Sequence, residues 1–106
     1  MVEKEEACVS LPIVWTRPAS ANLVDLHSCI SESSVFAAEN QASIILNAAD
    51  SLMDFPGKGR PGRLRGTREL VVSGTPYIIA YRIRNSTVRI LAVIHGARRW
   101  LRRFID

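Results

Sequence analysis

The stretch GKGRPGRLRG at positions 57–66 divides this chain into two parts that follow different periodicities. Its four glycines and one proline exclude a helix, and Lys58, Arg60, Arg63 and Arg65 mark it as an exposed loop. Before it, apolar residues recur at helical spacing; after it, they alternate as in strands. The chain therefore reads as α+β, with a helical part that must bury its apolar stripe against one face of a sheet.

Residues 11–16 (LPIVWT) predict a short N-terminal strand. Pro18 suits a first helical turn, where its missing N–H would have no partner anyway. A helix is expected over 19–31, with Leu23, Leu26, His27 and Ile30 at i, i+3, i+4 and i+7. His27 shares that stripe and reads as a packed, partly buried histidine. Cys29, on the same helix, reads as a small buried hydrophobe. Residues 31–34 break the pattern and offer an N-cap for a second helix over 35–53. Its stripe is Ala38, Ala42, Ile45, Leu46, Ala49, Leu52 and Met53, and Pro56 stops it. Two helices joined so closely form an antiparallel hairpin.

Beyond the loop, strands are expected over 67–73, 77–83 and 88–95. The turns Ser73-Gly74-Thr75-Pro76 and Arg84-Asn85-Ser86-Thr87 join them into a three-stranded antiparallel meander forming one sheet. Alternation places Tyr77, Ile79, Tyr81 and Ile83 opposite Ile78, Ala80 and Arg82. In the last strand it places Val88, Ile90, Ala92 and Ile94 on one side, and Arg89, Leu91, Val93 and His95 on the other. One face takes the helix pair. The other is expected to be exposed and half apolar, with arginine and histidine set into it, a surface that a partner covers. A single domain thus spans 11–96, between a flexible acidic tail (1–10) and a basic tail (97–106).

Charge follows the same division. Residues 1–56 carry two bases against eight acids, a net −6, whereas 57–106 carry Lys58 and eleven arginines against Glu69 and Asp106, a net +10. Arginine's planar fork suits phosphate or carboxylate, so the second half predicts an anionic partner. The two cysteines have no CxxC or Cys/His spacing, so no metal site is expected, and a reducing, cytoplasmic setting fits. The first ten residues are acidic and lack the apolar core of a signal peptide, and the longest apolar runs are strand-length, so no membrane span is expected. The loop glycines match neither GxxxxGK[ST] nor GxGxxG, which excludes a nucleotide cradle, and no cofactor is expected.

The order strand, helix hairpin, Gly/Arg loop and meander resembles the RelE/ParE superfamily of bacterial type II toxins. The strings VWT, FPGKGRPGR, GTRELVV, GTPYIIAYR and VRILAVIHGARR carry the resemblance, in the family's order, over about residues 11–100. It implies a toxin held inactive by a cognate antitoxin in a hetero-oligomer, the antitoxin being a DNA-binding dimer with a flexible arm. GTRELVV, GTPYIIAYR and the IHGARR segment look more like the ParE (plasmid stabilisation) branch. That branch implies a binder that poisons DNA gyrase, with Arg60, Arg63, Arg65, Arg82, Arg98 and Arg99 as charge-pairing groups and Trp100 as an aromatic anchor.

The RelE branch implies instead a ribosome-dependent mRNA endonuclease. Cleavage by a 2′-hydroxyl needs a base, cations for the phosphorane and an acid for the leaving oxygen. Arg82 and Arg89 supply charge and His95 a base or acid. The second proton-exchanging group is missing from the sequence: the tail offers Trp100 and Phe104, and Tyr77 and Tyr81 fall on the strand face opposite Arg82. His95 reads first as a structural or sheet-edge group, then as a partner contact, and last as a catalyst. An inactive member that only binds its antitoxin is the third possibility.

Overall fold

The structure is a computed structural model that describes residues 10–62 and 64–96. The expectations for the acidic tail, Arg63, Arg98, Arg99 and Trp100 lie outside the described residues.

Eight elements follow one another. They are β1 (Ile13–Trp15), α1 (Arg17–Ser31), α2 (Val35–Asp50), a 3₁₀ turn (Ser51–Met53), β2 (Arg60–Pro61), β3 (Arg68–Val71), β4 (Tyr77–Arg84) and β5 (Thr87–His95). Thr16 caps α1, its Oγ1 accepting from the Ala19 N–H at 3.4 Å, and Ser34 caps α2 by accepting from the Ala37 N–H at 3.0 Å. His27 Nε2 and Glu39 Oε2 meet at 2.9 Å across the helix pair.

The sheet has five strands in the order β1-β5-β4-β3-β2, one more than expected, and it is mixed. β1 lies parallel to β5, with Ile13 opposite Val88 and Trp15 opposite Ile90. The fifth strand comes from the Gly/Arg loop itself: Arg60 and Pro61 pair with Glu69 and Arg68 of β3. Pattern reading missed it because two residues are too few to show alternation.

β4 and β5 close through a two-residue turn in which Asn85 (φ 52°) and Ser86 (φ 58°) are both left-handed, the geometry that matches strand twist. Farther along, the register slips. Ala80 faces Ala92 but Tyr81 faces Ile90, so Leu91 is an extra residue on β5. The helix side holds the main core, where Ile45, Ala49 and Leu52 of the helical part meet Ile79, Tyr81, Val88, Ile90 and Val93.

The bulge corrects the expected faces of β5. Val93 joins Val88 and Ile90 on the helix side, while Ala92 and Ile94 join Ala80 in a second cluster on the opposite side. That second face is only in part the exposed apolar surface expected: Val71, opposite Ile78, is 52% exposed, but the centre of the face is covered. Ala80 and Ala92 are fully buried and Ile94 nearly so. Two helical expectations also fail: Cys29 is exposed, lying off the Ala19-Asn22-Leu23-Leu26-Ile30 stripe, and Leu46 faces solvent while Ile44 and Ala48 pack inward. Among the described residues no helix is long and apolar enough to cross a membrane.

Candidate functional site

Residues directly opposite in register share a face, so the pairings fix which side chains the far side of the sheet gathers. One row runs Arg60, Glu69, Ala80, Ala92 across β2, β3, β4 and β5. The next, two residues along and so about 7 Å away, places Arg82 directly opposite Arg89. The Nε atoms of both arginines are buried, which lays their stems along the sheet. Arg84, two residues beyond Arg82, falls on the same side and is exposed. Arg65 is exposed in the turn before β3.

Glu69 is the residue that the sequence reading passed over. It is 4% exposed, and its Oε1 accepts from Arg60 Nε at 3.3 Å and from an Arg60 terminal nitrogen at 3.1 Å. Its signal was available: between positions 57 and 105 it is the only acid, and it stands in a short apolar strand beside the arginine loop.

The Gly/Arg loop, expected to be exposed, is pinned to the sheet. The Tyr81 hydroxyl donates to the Pro56 carbonyl at 2.7 Å and accepts from the Gly59 N–H at 2.9 Å. Arg68 donates to the Gly59 carbonyl at 2.7 Å and the Gly57 carbonyl at 3.3 Å. Gly59 is required there, because a Cβ would stand 2.7 Å from the Tyr81 oxygen and 2.9 Å from the Glu69 carbonyl. Burial raises the Tyr81 pKa above its usual value, opposed by the Gly59 hydrogen bond and the nearby Arg68 charge. Arg68 belongs to the helix side, opposite Tyr81 in register, so it is a loop clamp and not part of the arginine face.

His95 is not with Arg82 and Arg89. It pairs with Tyr77 at the other end of β4, and the two rings meet edge to face with centroids 5.5 Å apart. Tyr77 packs against the main core, so the imidazole lies on the helix side. Five residues of strand, about 17 Å, separate Tyr77 from Arg82. The three groups that the nuclease reading combines are therefore split by both face and distance. The bulge accounts for the change of face, since strict alternation would have put His95 on the same side as Arg89; the separation along the strand is independent of it. Among the described residues, no three His, Cys, Asp or Glu side chains come together as a metal site.

Comparison with known proteins agrees with this fold. A family model for the ParE toxin of the parDE type II toxin–antitoxin system matches residues 13–100. The putative toxin Y4kP of Sinorhizobium fredii is 41% identical over 88 residues, which is 83% of this chain and 91% of that protein. Toxin RelE2 of Caulobacter vibrioides is 38% identical over 86 residues, 81% of this chain and 96% of the relative. Among solved structures, a chain of the chromosomal ParDE system from P. aeruginosa superposes with a TM-score of 0.75 at 22% identity, covering 81% of this chain and 96% of that one. A chain of the toxin–antitoxin complex RelBE2 from Mycobacterium tuberculosis gives 0.62 at 28% identity, covering 85% and 95%.

Proposed function

The chain belongs to the ParE toxin family of type II toxin–antitoxin systems, and from that premise we propose that it arrests growth as a binder that poisons DNA gyrase. It acts in the cytoplasm and is silenced by a cognate antitoxin in a hetero-oligomer. Arg60, Arg82, Arg84 and Arg89 on the far side of the sheet form the contact surface. Arg63, Arg65, Arg98, Arg99 and Trp100 are further contact residues, proposed from the sequence.

One observation carries the reading. His95 sits on the opposite face from Arg82 and Arg89 and at the other end of β4, so these three groups do not meet at one phosphate. A cleavage reaction needs charge stabilisation and proton transfer within hydrogen-bond reach of the same group. Binding needs only the charge. The antitoxin partner is supported by the toxin–antitoxin complexes among the structural neighbours.

A ribosome-dependent mRNA endonuclease is the second reading. The relative named RelE2 favours it, and His95 has a second aromatic side chain, Tyr77, packed edge to face against it. Against it, Arg82 and Arg89 lie at the other end of β4 from Tyr77 and His95.

The test is to add the purified chain to gyrase with relaxed plasmid. Loss of supercoiled product with accumulation of cleaved DNA is expected, relieved by the product of the neighbouring gene. Normal supercoiling, together with cut mRNA in ribosome-programmed translation, overturns the proposal in favour of the second reading.

A further inference from the structure

Stability alone does not account for Glu69. Its carboxylate is 4% exposed, both contacts from Arg60 fall on Oε1, and Oε2 is buried without a hydrogen-bond partner. A buried carboxylate left half satisfied weakens a fold, and an apolar side chain of similar size in its place is commonly neutral or stabilising.

What the carboxylate supplies is direction. Arg60 stands on the two-residue edge strand β2 with its side chain 57% exposed. An unheld arginine there samples many rotamers. Glu69 takes up two of the five guanidinium donors, and the others have no partner among the described residues. The backbone on either side is fixed as well, by the Gly59 N–H on Tyr81 and by the Gly62 N–H on the Thr67 carbonyl at 2.8 Å.

We propose that Arg60 is a pre-oriented arginine that takes a backbone phosphate of duplex DNA, and that Glu69 is the positioning residue that holds it. The proposal rests on the binder reading for its biological setting. Its choice of DNA comes from the charge pattern. Between positions 57 and 105 Glu69 is the only acid, and it is hidden beneath Arg60. The described surface of this half presents arginines and no exposed carboxylate. A surface of one sign suits a polymer that repeats the opposite sign at every step; a protein partner, which mixes both signs, is met by mixed charges.

The experiment titrates the purified full chain against a short labelled duplex of arbitrary sequence over a series of salt concentrations. Arg60→Ala lowers the log–log salt slope by about 0.9, one phosphate's share. Glu69→Met weakens binding about 3- to 10-fold, the effect of freeing one long side chain, with a thermal midpoint unchanged or raised. Glu69→Gln keeps an acceptor for Arg60 and falls between. The Arg60 Nε–H resonance is distinct in the wild type and in Glu69→Gln, and it moves to the free-arginine position in Glu69→Met.

The opposite signs are diagnostic. Deleting a carboxylate also deletes a repulsion toward phosphate, so a merely structural Glu69 gives tighter binding in both variants. That result, or an unchanged slope in Arg60→Ala, overturns the proposal. If Glu69→Met does not fold, Glu69→Gln decides: affinity at or above wild type overturns it, and a smaller loss with the Nε–H signal retained supports it. An unchanged slope with lost antitoxin affinity assigns Arg60 to a carboxylate of the protein partner and overturns the DNA assignment. A wild type that binds duplex as described yet leaves supercoiling untouched removes the gyrase reading and leaves this one standing.

Discussion

Asn22 Oδ1 on α1 accepts the backbone N–H of Val93, 71 residues away, at 3.0 Å. Val93 follows directly on the β5 bulge, where the extra residue takes backbone groups out of the ladder with β4. The cap residue Thr16 attends the other side, its Oγ1 donating to the Ile90 carbonyl at 2.7 Å. Two polar side chains from the helix layer thus satisfy a kink in the sheet, and that kink decides which face His95 occupies.

Asn22→Ala leaves the Val93 N–H without its acceptor in a half-buried place. A loss of about 1–3 kcal/mol is expected, read as a lower urea midpoint with an unchanged slope. Growth arrest at a permissive temperature persists, because Asn22 lies on the helix side and away from the arginine face.

Tyr81→Phe removes both the donor to Pro56 and the acceptor for Gly59. It costs about 1–3 kcal/mol and speeds amide exchange at Gly59. Its pH dependence has a definite sign. The folded-state pKa is raised, chiefly by burial, so on raising the pH the unfolded chain gives up the phenolic proton first. The wild type therefore keeps this stability below the unfolded value of about 10 and loses it as the pH climbs through the folded one. The Phe variant lacks that alkaline loss, so the two stability curves converge above about pH 10.

Ser86 occupies a left-handed turn position at φ 58°, where an L side chain is strained. Ser86→Gly relieves that strain and partly offsets it by adding freedom to the unfolded chain. A net gain of up to about 1 kcal/mol is expected in thermal denaturation. Asn85 already suits its position and gains less from the same change.

The sequence made local structure legible wherever a period or a capping chemistry ran for several residues. Pro18 and the break at 31–34 located the helix starts to within two residues, and the alternation of Tyr77, Ile79 and Tyr81 located the core side of β4. It was silent where one residue changes the outcome. Strict alternation through Leu91, Ala92 and Val93 gives the wrong face to everything after the bulge, and nothing in an apolar run marks the extra residue. Arg60–Pro61 is too short for a periodic signal and depends on β3 to be a strand at all. Glu69 could have been singled out as a solitary acid, yet its burial follows from pairing across three strands, which no local window contains. The arginines were recognisable as a charge class; which of them share a face was not.

The claim that imidazole and arginines serve different faces is tested most directly by His95→Ala in two assays run side by side. The account predicts gyrase inhibition by the variant equal to wild type once folding stability is matched, with no mRNA cleavage by either protein. A wild type that cuts ribosome-bound mRNA, and a variant that loses ~10²–10⁴ of that rate, would contradict it.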